Sequence, residues 1–284
     1  MMSILITGFN GNVGFAVGHA LKNEKIPFYA GVQDPARIPE NLKKDYTFRT
    51  LDYNEPATFS TALEGCNQLF LLYPPQVSLE AFQRFIHFLS FSKIQHIVYL
   101  SVKDVQFLPF IPHYKNEALI RKAGIPYTFI RAGYFMQNLN LFMREEIKQN
   151  QQIFVPAGKG KSSFTDIRDI ATIVLHSLVS LKLHQDQAHT ITGEESLDFY
   201  EAASLMTLLL EKPIHYTNPS IHTFKMRMSQ KGLPEDHVNV VANLHIPTKL
   251  GLAGGMTTTF YDLSRNRPIR MEQYIRDYAH HWKA

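Results

Sequence analysis

The sequence predicts an α/β fold, a doubly wound parallel sheet joined to a smaller α+β lobe toward the C-terminus. Up to Arg131, short runs rich in β-branched and aromatic residues alternate with longer helix-patterned segments, the rhythm of parallel strands linked by crossover helices. Within that stretch, Ile4-Leu5-Ile6 and Ile97-Val98-Tyr99-Leu100 are apolar at every position, as strands covered on both faces must be. Beyond Arg131 the rhythm changes, and short strand-like runs mix with helical ones.

Strands are predicted at residues 3–7, 27–32, 46–50, 68–72, 96–101 and 127–131. Helices fall between them at residues 12–22, 57–63, 79–92 and 113–123, the last closed by Gly124 as a left-handed cap. The second part predicts a helix over 136–149, a Gly/Lys-rich hairpin over 156–161, and a helix opening after Asp166. A strand over 189–192, a helix over 197–210, a strand over 214–217 and further helices follow. Residues 1–155 are therefore expected to form one domain and 156–284 mainly a second lobe, with segments interleaved between them.

The composition, 45% hydrophobic and 19% charged over 284 residues, is that of a globular protein with ample length for a core. Cys66 is the lone cysteine, so no internal disulfide forms, which suits a reducing compartment. The N-terminus lacks a basic region and runs quickly into glycine, a first strand and not a signal peptide. The apolar stretch over 170–181 is broken by Thr172, His176, Ser177 and Ser180, so no membrane span is expected. A soluble, cytoplasmic chain follows from these readings. Although the net charge is +4, the 29 Lys and Arg are scattered among 25 Asp and Glu, so no nucleic-acid partner is expected. A homodimer stays open.

The first strand runs directly into Gly8-Phe9-Asn10-Gly11-Asn12-Val13-Gly14, after which Phe15, Val17 and Leu21 start a helical pattern. In a strand–turn–helix setting the first glycine permits a tight turn and the second lets backbone approach a pyrophosphate. The third lets helix and strand pack closely. Free amides and the positive helix end then favour an anion. This context makes the fold Rossmann-type and the expected ligand NAD or NADP, held by Gly8, Asn10, Gly11, Asn12, Val13 and Gly14.

An acid at the end of the second strand bonds the ribose 2′-hydroxyl of NAD, whereas arginine accommodates a 2′-phosphate. Here the segment is Val32-Gln33-Asp34-Pro35-Ala36-Arg37. Gln33 is neutral, Asp34 precedes proline as a turn residue does, and Arg37 follows one turn later. Gln33 and Arg37 are the candidate selectors, and the choice of coenzyme stays open. Asp52 and Tyr53, in Leu51-Asp52-Tyr53-Asn54, are candidates for the adenine edge, with a loop-capping role for Asp52 equally compatible with its residue type. Leu72, Tyr73, Pro74 and Ser101 lie at carboxyl ends of later strands, where ligands collect in open α/β sheets.

With these elements placed, the chain resembles the NmrA-like atypical short-chain dehydrogenases, most closely their quinone-reducing and triphenylmethane-dye-reducing members. The motifs are the Gly8 turn, Leu51-Asp52-Tyr53-Asn54, and His113-x-x-x-Glu117 followed by Gly124-Ile125-Pro126-Tyr127-Thr128-Phe129-Ile130-Arg131. Asp166-Ile167-Arg168-Asp169-Ile170-Ala171 completes the set. The resemblance implies NAD(P), with NADP favoured, and a nicotinamide near Ala132, Gly133, Tyr134 and Phe135. Quinone-reducing relatives carry asparagine at the place of Ala132, and NADP users arginine at the place of Gln33. His113 stands where those quinone reducers have histidine, which implies a bond to the ribose or a proton relay near neutral pH, with a structural hydrogen bond at the helix start equally compatible with its position.

The Tyr-x-x-x-Lys helix of ordinary short-chain dehydrogenases is missing. Tyr99 and Lys103 have its spacing but straddle the end of a strand, where four residues span about 13 Å and the two side chains are not neighbours. His280 and His281 are adjacent and make a poor metal pair, and no G-x-S-x-G points to a hydrolase. The sequence therefore predicts an NAD(P)H-dependent oxidoreductase that passes hydride to a small conjugated acceptor such as a quinone. Pro75, Tyr134 and Phe135, with Phe107 and Phe110, are its expected apolar walls. An NAD(P)-sensing regulator without turnover and a sugar-nucleotide epimerase are the alternatives.

Overall fold

The structure is a computed structural model that describes residues 3–283. The Met1-Met2 pair, part of the N-terminal run read above, lies outside them, as does Ala284. The chain forms two compact units. The first comprises the chain up to Ala132 together with Ile167–Ile191; the second comprises Gly133–Asp166 and the chain from Thr192 onward.

In the first unit, strands β1 (Ile4–Ile6), β2 (Phe28–Val32), β3 (Phe48–Thr50), β4 (Gln68–Leu71), β5 (His96–Val102) and β6 (Tyr127–Ala132) join Gln187–Ile191 in one seven-stranded sheet. The order is β3-β2-β1-β4-β5-β6 followed by Gln187–Ile191, and every pair is parallel. The chain winds outward from β1 through β2 to β3, then returns to β4 on the other side of β1. Ile6 thus has Ala30 as one register partner and Phe70 as the other. This reversal opens a crevice at the carboxyl ends of β1 and β4, where doubly wound sheets bind ligands.

The helices between the strands are α1 (Asn12–Asn23), α2 (Glu40–Asp45), α3 (Ala57–Leu63), α4 (Leu79–Leu89) and α5 (Pro112–Lys122). Ser78 caps α4 by accepting from the Ala81 amide, and proline opens α5. Gly124 has φ +72°, the left-handed conformation expected of it. Phe82, Phe85, Ile97, Tyr99 and Phe129 are completely buried on one side of the sheet.

Three expectations need correction. The strand predicted over 189–192 is Gln187–Ile191, and it extends the main sheet beside β6 instead of joining the smaller lobe. Its outer residues are exposed, so it lacks the two-faced apolar signature of an interior strand. The helix predicted over 136–149 is two short ones, Asn138–Leu141 and Arg144–Asn150, because the chain leaves helical geometry at Met143, φ −121°. Residues 156–161 form a loop turning at Gly158, φ +66°, without paired hairpin strands.

Division of the chain after Ala132 puts residues 133–155 in the second unit, while the helix Ile167–Val179 packs on α1 in the first. In the second unit, Ser162–Thr165 pairs in parallel with Tyr134–Phe135 and antiparallel with Ser196–Leu197. The helix Phe199–Leu210 opens with a capping box, Asp198 and Glu201 each bonding the other's backbone amide. Among the described residues, no helix is long and apolar enough to cross a membrane.

Candidate functional site

The glycine turn sits at the reversal of the sheet, and close packing dictates its residues. The Thr7 amide donates to the Phe70 carbonyl at 3.0 Å, and the Leu72 amide donates to the Thr7 hydroxyl at 2.8 Å, stitching the ends of β1 and β4. Gly8 has φ +61°, and a Cβ there would lie 2.8 Å from Leu72 Cδ1. A Cβ at Gly14 would lie 2.3 Å from the Gly8 carbonyl oxygen and 2.9 Å from Phe9 Cα, so α1 enters against bare backbone. Gly18, one turn on, was not singled out by the sequence; a Cβ there would meet Phe9 Cε2 at 2.2 Å. Phe9 itself is buried in a cluster with Phe28, Tyr46 and Phe48, which anchors the turn from beneath.

Above that anchor the turn is open. Gly11 is the N-cap of α1, has no side chain to offer, and is followed by no acid in the first helical turn. Its own amide closes the turn onto the Gly8 carbonyl at 3.0 Å, whereas the Asn12 and Val13 amides have no partner among the described residues. Asn10, Gly11 and Asn12 are exposed, and a Cβ at Gly11 would meet only the Gly8 carbonyl oxygen, at 3.3 Å. Unspent amides, a positive helix end and a space a side chain would fill are what a dinucleotide diphosphate requires, and these residues fit one.

Gln33 and Asp52 come together at the ends of β2 and β3: Gln33 Nε2 donates to Asp52 Oδ2 at 2.9 Å. Asp52 Oδ1 accepts from the Asn54 amide at 2.8 Å, so the carboxylate also caps its own loop. Asp34 accepts from the Ala36 amide and lies 3.2 Å from Arg37 Nε, which leaves the remaining guanidinium nitrogens of Arg37 exposed. Tyr53 is buried, and its hydroxyl donates to the Leu72 carbonyl at 3.1 Å. It shapes the β4 end through that bond. Tyr73 and Pro74 are half-buried and Pro75 exposed in the following loop, where the Tyr73 hydroxyl donates to the Val77 carbonyl.

Ser101 lies at the end of β5, but its hydroxyl is buried and donates to Glu117 Oε1 at 2.7 Å. Glu117 also holds Arg131 through both carboxylate oxygens, at 3.0 and 2.7 Å, and Arg121 at 2.9 Å. These contacts hold its carboxyl below the usual range against the opposing effect of burial. They pin α5 to β5 and β6, a network the sequence reading missed although Glu117 stood within its motif.

His113, half-buried at the start of α5, has Tyr99 of β5 2.8 Å from its Nδ1 and the Tyr73 ring edge-on at 6.0 Å. Burial pushes its pKa down to about 4. At pH 7 that holds the imidazole neutral, in which form one ring nitrogen donates and the other accepts.

Tyr134, an expected acceptor wall, lies in the core of the second unit with Phe164 and Phe199 edge-on to its ring. His245 Nδ1 donates to the Val241 carbonyl at 2.7 Å, so its Nε2 accepts from the Tyr134 hydroxyl at 2.8 Å. Tyr134 is thus buried, with its hydroxyl proton satisfied within that core. Phe135, beside it, is half-buried, while Phe107 and Phe110 between β5 and α5 are 73% and 76% exposed. The Ala132 carbonyl accepts from the Lys103 amide at 2.9 Å, and a Cβ at Gly133 would lie 2.7 Å from the Ser163 carbonyl oxygen.

Burial also lowers His96, His189 and His245 to about 4. Unfolded, these histidines bind protons near their ordinary value of about 6.5, so unfolding takes up protons between that pH and 4. Stability should be complete above about pH 6.5 and fall as the pH drops toward 4, before Glu117 adds its own loss at lower pH. Urea denaturation midpoints at pH 7.5, 6 and 5 check this; a flat profile would refute it.

The sheet order and the glycine turn at its reversal together define a Rossmann-type α/β protein. The chain belongs to the NmrA-like family, whose model matches residues 2–247, as the four sequence motifs implied. It is 29% identical over 276 residues to the NAD(P)H azoreductase of Xenophilus azovorans, covering 94% of each chain. Its fold matches that of the NADPH-dependent quinone oxidoreductase of Escherichia coli complexed with NADPH, with a TM-score of 0.85 and 22% identity over 98% of this chain and 99% of that one. The triphenylmethane reductase of Citrobacter sp. complexed with NADP(H) gives a TM-score of 0.82 and 19% identity over 97% and 99%.

Proposed function

We propose that this chain is an NAD(P)H-dependent oxidoreductase that delivers hydride to a quinone-like or other conjugated small molecule. The observation that carries the reading is the α1 entrance, where Gly8, Gly11 and Gly14 leave the Asn12 and Val13 amides unspent. Family membership supports it, as do the azo, quinone and triphenylmethane chemistries in the names of the similar proteins, which share an extended conjugated acceptor.

Bound there, the reduced nicotinamide supplies the hydride. The chain's own residues bind and orient. Asn12 and Val13 donate to the diphosphate; Gln33 and Asp52, already bonded to each other, border the adenosine end. Tyr53 and Thr7 hold the Leu72 backbone that lines the crevice. His113 supplies a neutral N–H donor, and exposed Pro75, Phe107 and Phe110 offer apolar surface to a flat ring.

Stopped-flow and steady-state assays with NADPH and a panel of quinones and azo dyes test the reading. Saturable binding with acceptor-dependent oxidation is expected; binding without oxidation would contradict the catalytic half and favour a cofactor sensor. Arg37, with guanidinium nitrogens free beyond its contact to Asp34, is the residue for a 2′-phosphate. Arg37→Ala is expected to weaken NADPH about tenfold, or about 1.4 kcal/mol, and leave NADH unchanged in paired titrations. Equal losses for both coenzymes would refute the assignment.

A further inference from the structure

Tyr99 is fully buried in β5, flanked by Ile97, Val98 and Leu100, and its hydroxyl lies between two side chains of α5. Asn116 Nδ2 donates to that hydroxyl at 3.0 Å, and His113 Nδ1 lies 2.8 Å away on its other side. Because the amide nitrogen only donates, the hydroxyl accepts there and its own proton is free for His113 Nδ1. A neutral imidazole whose Nδ1 accepts carries its single proton on Nε2.

The charges around the ring agree. Burial raises the Tyr99 phenol far above its ordinary value, so it remains a donor. Tyr73, from the loop after β4, is also raised and neutral. Glu117, one turn along α5, favours a charged His113, but burial outweighs it, and the carboxylate is already held by Ser101, Arg121 and Arg131. Asn116 Oδ1 is buried without a partner. Turning the amide over would satisfy that oxygen but strand the two N–H donors instead, and orphaned buried donors are the rarer outcome.

We propose that Asn116 and Tyr99 are positioning residues that fix His113 as an Nε2–H donor, presented to the acceptor atom on which negative charge builds as hydride arrives. The inference rests on the oxidoreductase reading above and deepens it at a named atom. His113 stands at the carboxyl ends of β4 and β5, beside Tyr73, where a ligand of this fold lies. The hydride brings two electrons and one hydrogen to the acceptor. A neutral imidazole keeps its N–H, so water supplies the proton that completes the reduction. A donor aimed at developing charge lowers the barrier without surrendering its own proton.

Nitrogen-15 NMR of the His113 ring in the ligand-free protein, with Tyr99→Phe and Asn116→Ala alongside, tests this. The unaltered protein should show the Nε2–H tautomer, unchanged from pH 8 to pH 5. Tyr99→Phe should give a mixture of tautomers and lower kcat about tenfold, with KM for NADPH nearly constant. If it does not fold, Asn116→Ala should move the same ring signal in the same direction. A purely structural role would lower stability without moving the tautomer. An Nδ1–H tautomer in the unaltered protein, or an unchanged ring signal and kcat in a folded variant, would overturn the proposal. Because the ring signal is read without coenzyme, failure of the unaltered protein to bind NADPH would count against the oxidoreductase reading separately.

Discussion

Gly11→Val is expected to abolish measurable NADPH binding, at least about a hundredfold loss or 2.7 kcal/mol, while hardly moving the melting temperature. The fold has to give by only a few tenths of an ångström. Gly11 is exposed, its φ of −94° and ψ of 164° suit any residue, and the nearest atom to an added Cβ is a single carbonyl oxygen at 3.3 Å. Glycine at this N-cap is worth no more than about 1 kcal/mol over valine. A dinucleotide, in contrast, needs the volume that the isopropyl group fills, directly over the Asn12 and Val13 amides.

Gly14→Ala supplies the contrast, because its Cβ would strike the Gly8 backbone at 2.3 Å and disturb the turn itself. Thermal melts and calorimetric titrations of the two variants separate loss of the ligand's space from loss of the fold. A folded Gly11→Val protein that keeps its affinity would place the coenzyme elsewhere.

Glu117→Ala is expected to be the most destabilising single substitution of a polar residue in the first unit, at about 3–5 kcal/mol. The carboxylate is 3% exposed and bonds the Arg131 guanidinium, itself 14% exposed, through both oxygens. Without it, Arg131 keeps only the long contact to Gln106 at 3.2 Å, and the buried Ser101 hydroxyl loses its acceptor. The cost is that of a stranded guanidinium and an unsatisfied hydroxyl, more than the worth of a surface ion pair. Because the folded carboxyl sits below its ordinary value, this contribution is present above that value and lost as the pH falls through the folded one. Urea denaturation at pH 7 checks the magnitude; a change below about 1 kcal/mol would show that the network is dispensable.

The sheet was legible where strands are apolar on both faces. Ile4-Leu5-Ile6 and Ile97-Val98-Tyr99-Leu100 have no other way to be buried, and Gly8 after the first of them marks the turn. The sheet that holds Gln187–Ile191 is not legible, because an edge strand with exposed residues looks like part of any half-buried sheet. Local pattern shows that a strand exists; its neighbour is decided by contacts distant in sequence.

The same limit governed the site. Gly8, Gly11 and Gly14 carry their meaning in their spacing, whereas the Asn116–Tyr99–His113 chain joins β5 to α5 and leaves no periodic trace. One signal was available, a tyrosine flanked in sequence by Ile97, Val98 and Leu100, which needs a partner for its hydroxyl when buried. The partner of Tyr134 is hidden for the matching reason: His245, which accepts its proton, lies 111 residues away in sequence. Hydroxyl and imidazole groups advertise function and satisfied burial alike, and only the partner distinguishes them.

Backbone amide shifts recorded while NADPH is added to the nitrogen-15-labelled protein test the central claim most directly. The largest movements should fall on Asn12 and Val13, with smaller ones on the flanking Gly11 and Gly14, saturating with a single dissociation constant, as diphosphate oxygens take up the two amides the fold leaves unpaired. Shifts absent from that turn, or confined to other parts of the chain, would contradict it.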